Sequence, residues 1–193
     1  IKGFDLSMLA ARYAFVFDSG GEIGRVILKA PYHMKMDVTV SGKSAHAGME
    51  PEKGISAIRV LSEIITRIPH GRIDEESTVN VGVIQGGRAT NIVPEEAMMK
   101  LEGRSLSLKK LRDIEDDIRL IIKSTVKERG GRAGIKRMMA YEGFSIRESD
   151  RIVKIVTSAL DRIGIAPKFE TSGGGSDTNI LNRAGIRAIN LSI

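Results

Sequence analysis

Four places in this sequence hold residue types that can do chemistry. The first is Asp18, which closes the apolar run of "FVFDSGG". A carboxylate at the end of a buried strand sits where α/β sheets collect their ligands, and it can take a hard or borderline cation. The same residue can equally start a turn by bonding its own backbone. The second is His46 in "SGKSAHAGMEPEKGI", on a loop ahead of a helical pattern. Ser44, Ala45, Ala47 and Gly48 leave room for close approach, and an imidazole there can polarise a carbonyl or donate to a developing oxyanion. A plain loop histidine fits the same pattern. The third is Asn91 in "GGRATNIVP", whose amide can donate to a carbonyl and accept from an amine, or simply form a turn. The fourth is "TSGGGSDTN", 171–179, whose backbone N–H groups can hold a carboxylate or phosphate, with Ser172, Ser176 and Asp177 as caps in the alternative. It has neither the Gly-Lys-Ser/Thr of a P-loop nor G-x-G-x-x-G spacing.

Metal chemistry is constrained by supply. The histidines are His33, His46 and His70, cysteine is absent, and no His-x-Asp pair or H-E-x-x-H helix occurs. The chain by itself cannot assemble a complete metal site of the usual kinds.

The elements that must carry these residues show in the patterning. "ARYAFVFD" and "RVILKAP" read as buried strands. "HMKMDVTV" alternates, with Met34, Met36, Val38 and Val40 on one face. "PEKGISAIRVLSEIITRIP" puts Ala57, Ile58, Leu61, Ile64, Ile65 and Ile68 on one helical stripe. "TVNVGVIQGG" and "EEAMMKLEGR" alternate again, the latter through Ala97, Met99 and Leu101. Residues 107–131 form a long amphipathic helix through Leu111, Ile114, Ile118, Ile121 and Ile122, stopped by Gly130. A fourth strand follows over 132–142, its alternation slipping near Met138. From 33 to 142 the order is β-α-β-β-α-β, which predicts a ferredoxin-like sandwich of four antiparallel strands with two helices on one face. Beyond Gly143 a helix with Ile152, Val153, Val156, Leu160 and Ile163 inward, a short strand "PKFET", the glycine loop, a helix "NILNRAG" and a strand "RAINLS" return to α/β character. The expected class is α/β with an α+β insert: residues 1–32 and 144–193 are pieces of one outer domain, and 33–143 are inserted. The chain opens without methionine on an apparent helix and stops on a strand, so both ends read as cut from something larger.

Composition closes several other routes. With 41% hydrophobic and 28% charged residues the profile is that of a soluble globular protein. The net charge of +6 comes from 30 basic against 24 acidic residues that alternate along the chain, and aromatics are only 4%. That is a solvated mixed-charge surface and poor material for stacking on bases, so no nucleic-acid partner is expected. Without a signal segment or a long apolar run, no membrane span is expected, and the missing cysteines fit a reducing cytoplasm.

Taken together, these stretches resemble the co-catalytic zinc metallopeptidases, the family of peptidase T, carboxypeptidase G, acetylornithine deacetylase and succinyl-diaminopimelate desuccinylase, with the peptidase T-like tripeptidases most similar. "FVFDSGG" looks like its zinc-binding strand end. "VTVSGKSAHAGMEPEKGISAI" looks like the opening of its lid, or dimerisation, domain. "GVIQGGRATNIVPEEAMMKLEGRS" looks like the lid hairpin, and "SGGGSDTNILNRAGIRAINLS" like the returning catalytic domain. The resemblance implies that Asp18 binds one zinc and that His46 reaches across a homodimer to stabilise the oxyanion in the partner's site. It implies that Asn91 touches the substrate near the scissile carbonyl. Arg104 would help hold the substrate carboxylate, and Gly174 and Gly175 would line the same end. Asp rather than Glu at position 18 is similar to the aminopeptidase branch.

The family's remaining ligands lie before the lid and after the last strand here, and its general-base Glu lies before the lid. The parent is therefore expected to be a cytoplasmic two-zinc hydrolase of short peptides, cobalt or manganese being alternative metals, while this stretch alone is expected to be inactive and to hold no metal. Two other readings remain: a stand-alone ferredoxin-like dimerisation or regulatory module, and an N-acyl amino acid deacylase of the same family.

Overall fold

The structure is a computed structural model that describes residues 3–193; the first two residues of the expected 1–32 segment lie outside the described residues. Its strands are β1 (Tyr13–Ser19), β2 (Arg25–Ala30), β3 (Tyr32–Ser41), β4 (Gly71–Arg72), β5 (Ser77–Gly86), β6 (Glu96–Ser105), β7 (Arg132–Tyr141), β8 (Phe144–Ser145), β9 (Lys168–Thr171) and β10 (Arg187–Ser192). Its helices are α1 (Ala57–Arg67), α2 (Leu108–Arg129), α3 (Arg151–Arg162) and α4 (Asp177–Arg183). They divide into two compact units, Ile1–His33 with Ala140–Ile193, and Met34–Met139.

The first unit is a mixed sheet in the order β1-β10-β2-β8, with β9 also on β2. β1 runs parallel to β10, and β10 antiparallel to β2. β10 feeds both faces, because successive side chains point to opposite sides. Ile189 packs with Val26, Leu28, Ile146 and the α3 residues Ile152, Val153 and Val156. Ala188 packs on the other side with Leu181 and Ile186, against Ala14 and Val16 of β1. Ile163, expected inward, lies past the last turn of α3 and is exposed. The expected amino-terminal helix is only a 3₁₀ turn, Leu6–Met8, with Asp5 as its cap and no buried side chain. Only Leu6 packs there, half-buried against the Leu181, Ile186 and Ala188 cluster, which is too little cover to extend the turn into a helix.

The second unit is a sheet in the order β4-β5-β6-β3-β7. The four long strands and two helices follow the β-α-β-β-α-β order; β4 is an added two-residue strand on Thr78 and Val79. Met34, Met36, Val38 and Val40 of β3 and Ala97, Met99 and Leu101 of β6 are buried, as their alternation predicts. α1 and α2 pack on each other and on β6. Ser56 and Ser107 cap the two helices through Arg59 N–H and Lys110 N–H. In α1 the buried stripe is Ala57, Val60, Leu61 and Ile64, with Ile58 turned outward. Gly130 ends α2 at φ 81°, the left-handed region that glycine enters without strain. Among the described residues no helix is long and apolar enough to cross a membrane.

Candidate functional site

Asp18 occupies a bulge. The parallel register runs from Phe17↔Leu191 to Ser19↔Ser192 and skips it. Its backbone N–H therefore goes to a side chain, the Asn190 Oδ1, at 3.1 Å. Asp18 itself is exposed, and its carboxylate bonds no other described residue. The turn that follows is tied down: Ser192 Oγ donates to the Glu22 carbonyl at 2.7 Å and accepts from Arg25 N–H at 3.1 Å. Gly21 turns there at φ 109°, against the Arg25 side chain. Arg25 in turn donates to Glu170 on β9, which holds that carboxyl below its ordinary value and the guanidinium above its own.

The glycine loop belongs to the same unit. Gly174 N–H donates to Ser172 Oγ at 3.1 Å. Gly175 lies against Tyr141, where a Cβ would come within 2.4 Å of the ring, so no other residue fits without moving that ring. The start of α4 is closed by its own capping box: Thr178 N–H donates to Ser176 Oγ, and Ser176 N–H to Asn179 Oδ1. The anion cradle considered for "TSGGGSDTN" is thus filled by Ser176 and Asn179. Ser176 has a further role, because Asn190 Nδ2 donates to its Oγ at 3.3 Å. One buried amide links the Asp18 bulge to the glycine loop. In the sequence Asn190 is merely a polar residue inside "RAINLS"; a buried amide must find partners, and that demand was the signal available.

His46 sits in the second unit. It bridges to Ile92, Ala47 N–H donates to the Asn91 carbonyl, and Val93 N–H donates to the Ala45 carbonyl, both at 2.9 Å. The loops of His46 and Asn91 are therefore zipped together. His46 Nδ1 accepts from the N–H groups of Gly48 and Met49, each at 3.2 Å. Two donors at Nδ1 leave the hydrogen of the neutral ring on Nε2, so the exposed edge presents an N–H. That is the donor an oxyanion needs.

Arg104 is not brought to this loop. It lies near the far end of β6 and donates to Glu102 at 2.9 Å. At about 3.3 Å per strand residue it stands roughly 25 Å from the strand start that follows Asn91.

His33 is buried with its ring 4.9 Å from Tyr141, edge to face. Two Glu–Glu pairs occur, Glu75–Glu76 and Glu95–Glu96, both in the second unit, and Glu76 is paired with Lys110 at 2.9 Å. Among the described residues no three His, Cys, Asp or Glu side chains gather around a metal-sized site. The donor set fits a single oxygen ligand at Asp18.

The family model described as "Peptidase dimerisation domain" (M20_dimer) matches residues 31–137. The chain belongs to the M20 peptidase dimerisation family. M20 relatives match beyond that segment. A Bacillus subtilis protein named "Uncharacterized protein YqjE" is 41% identical over 192 residues, covering 100% of this chain and 52% of its own length. Peptidase T of Brevibacillus brevis is 24% identical over 97% of the chain and 46% of its own length. Among solved structures, the aminopeptidase PepT of Bacillus cereus superposes with a TM-score of 0.91 at 37% identity, covering 100% of this chain and 52% of that one. A tripeptidase of Staphylococcus aureus gives 0.94 at 32%, covering 100% and 51%. The chain spans about half the length of the curated relatives it matches.

Proposed function

We propose that the chain is the lid and adjoining catalytic segments of a cytoplasmic M20 aminopeptidase that cleaves short peptides, tripeptides foremost, as a homodimer with two bound metal ions. The likeness to PepT structures runs through the first unit as well as the lid, which a free-standing dimerisation module would not require. In this reading Asp18 supplies one carboxylate ligand to a zinc pair, with cobalt or manganese as substitutes. When bound, the metals supply an acidified water. His46 donates from Nε2 to the oxyanion, Asn91 orients the scissile carbonyl, Arg104 binds the substrate carboxylate, and Gly174 and Gly175 border that end. The general base and the other ligands come from parts of the parent beyond these residues.

The observation that carries this is the separation within one lid. A tripeptide spans about 10 Å. His46 and Arg104 cannot both touch it from the same subunit when roughly 25 Å of strand lies between them. Two copies can share the work, His46 and Asn91 from one and Arg104 from the other. An edge for that pairing exists. β4 covers only Thr78 and Val79, so the outer side of β5 from Asn80 to Gly86 has no strand among the described residues. Val83 and Ile84 there are 41% and 53% exposed, beside Ile65 of α1. An uncovered edge of this length invites another strand.

The test uses the full-length protein. Asp18→Ala and His46→Ala subunits are each expected to be nearly inactive. Refolded together at equal amounts, half the dimers are mixed and each carries one complete site, so about a quarter of native tripeptidase activity returns. No recovery above the sum of the parents would remove the shared-site reading. Undiminished activity after exhaustive chelation would remove the metal.

A further inference from the structure

Asn190 stands out against its strand. In "RAINLS" its neighbours Ala188, Ile189 and Leu191 serve apolar packing. The Asn190 side chain is buried, with the residue only 6% exposed. Burying a primary amide costs free energy unless its donor and acceptor are both used. Both are used, and the choice of partners is informative. Oδ1 takes the N–H of Asp18, the one residue that the β1–β10 ladder leaves out. Nδ2 goes to Ser176, the residue directly after Gly174 and Gly175. The amide thus spans from the strand-end carboxylate to the glycine loop, 172 and 14 residues away in sequence.

We propose that Asn190 is a positioning residue that fixes the backbone of Asp18 and the glycine loop in one geometry, so that the carboxylate is aimed at a metal ion and the peptide end is held at a set distance from it. This rests on the reading of Asp18 as a metal ligand. Rotation of the Asp18 peptide plane would swing its Cα–Cβ bond. The bond to a buried side chain prevents that without touching the carboxylate, so the carboxylate keeps its charge and lone pairs for the cation. Groups that orient a ligand from behind are commonly worth 10- to 100-fold in metal affinity.

The experiment is zinc or cobalt titration of the full-length protein, in native form and as Asn190→Leu, Asn190→Ala, Ser176→Ala and Asp18→Asn. Asn190→Leu keeps the branched shape, with a larger volume, and removes both bonds. Its metal dissociation constant is expected to rise about 10- to 100-fold, and the Asp18 amide to exchange faster with solvent in the metal-free protein. Asn190→Ala should behave alike. Ser176→Ala, which cuts the second bond and the Thr178 cap bond but leaves the bond to Asp18, should keep metal affinity and raise KM more than it lowers kcat. If Asn190→Leu folds, exchanges faster at Asp18 and binds metal within about 2-fold of native, the positioning role is overturned. If neither Asn190 variant folds, Asn190 is a cap of the bulge and the proposal is also overturned. Should Asp18→Asn bind metal as tightly as native, it is the ligand reading that fails. Loss in Asp18→Asn with retention in Asn190→Leu leaves that reading standing and removes only this inference.

Discussion

The Asp18 bulge and the His46 loop solve one problem, holding an exposed functional group still, by opposite means. Asp18 is held by a side chain 172 residues away, reached only because β10 lies beside β1. His46 is held by the N–H groups two and three residues on, and by backbone pairing with residues 91–93. The first depends on the completed sheet. The second is largely a property of the local sequence, where Gly48 and the small neighbours let the chain curl around the ring. Damage to the core of the first unit should therefore reach Asp18 before anything comparable reaches His46.

The contrast can be broken by experiment. The largest effect belongs to Asp18→Ala, which should lower metal affinity and turnover of the full-length protein by more than 10²-fold, beyond what a supporting residue costs. Titration and a peptide assay measure both, and a near-native constant would dissolve the distinction. His46→Ala should cost about 10²- to 10³-fold in kcat with metal content and dimer mass unchanged. Metal loss in that variant would mean the two regions are not independent.

Smaller effects sharpen the difference in stability. Ile118→Ala, in the fully buried stripe of α2, should destabilise the lid by about 2–5 kcal/mol by denaturant unfolding. Gly175→Ala should cost about 1–3 kcal/mol, because the Tyr141 ring must yield. Weakest is the ion-pair girdle between α1 and α2. Arg129 donates to Glu63 at 2.7 Å and keeps its carboxyl below the ordinary value. A carboxyl depressed in the folded state stabilises at pH above its unfolded value, and that contribution fades as pH falls through the folded one. The native urea midpoint should thus drop between about pH 5 and pH 2 more than that of Arg129→Gln. Equal drops would assign the acid sensitivity elsewhere.

How much was readable follows the same division. Elements with one buried face declared themselves: β3, β6, α1 and α2 carry periods that burial imposes, although the stretch read as one helix from Pro51 is a 3₁₀ turn, Pro51–Lys53, ahead of an α1 that starts only at Ala57. The strands β4 and β8 did not, since two residues have no period and are defined by partners such as Lys29 and Ala30. β7 slipped near Met138 because that side chain is exposed on a strand at the sheet border. Among the candidate site residues, His46 and Asn91 stood in loops whose small and turn-forming residues marked them. Asn190 did not, because both of its bonds are made by topology. The glycine loop was visible as a loop; that Tyr141 forbids a side chain at 175 was not.

One further consequence lies in the way the chain crosses between its two units. It leaves along β3 and comes back along β7, neighbouring strands of one sheet, and the rings of His33 and Tyr141 at that crossing are 4.9 Å apart. Exit and return share a doorway a single strand spacing wide. Residues 34–139 are in that sense a cassette: a linker of a few residues would close the gap after excision, and a foreign domain whose ends lie equally close would fit the same opening.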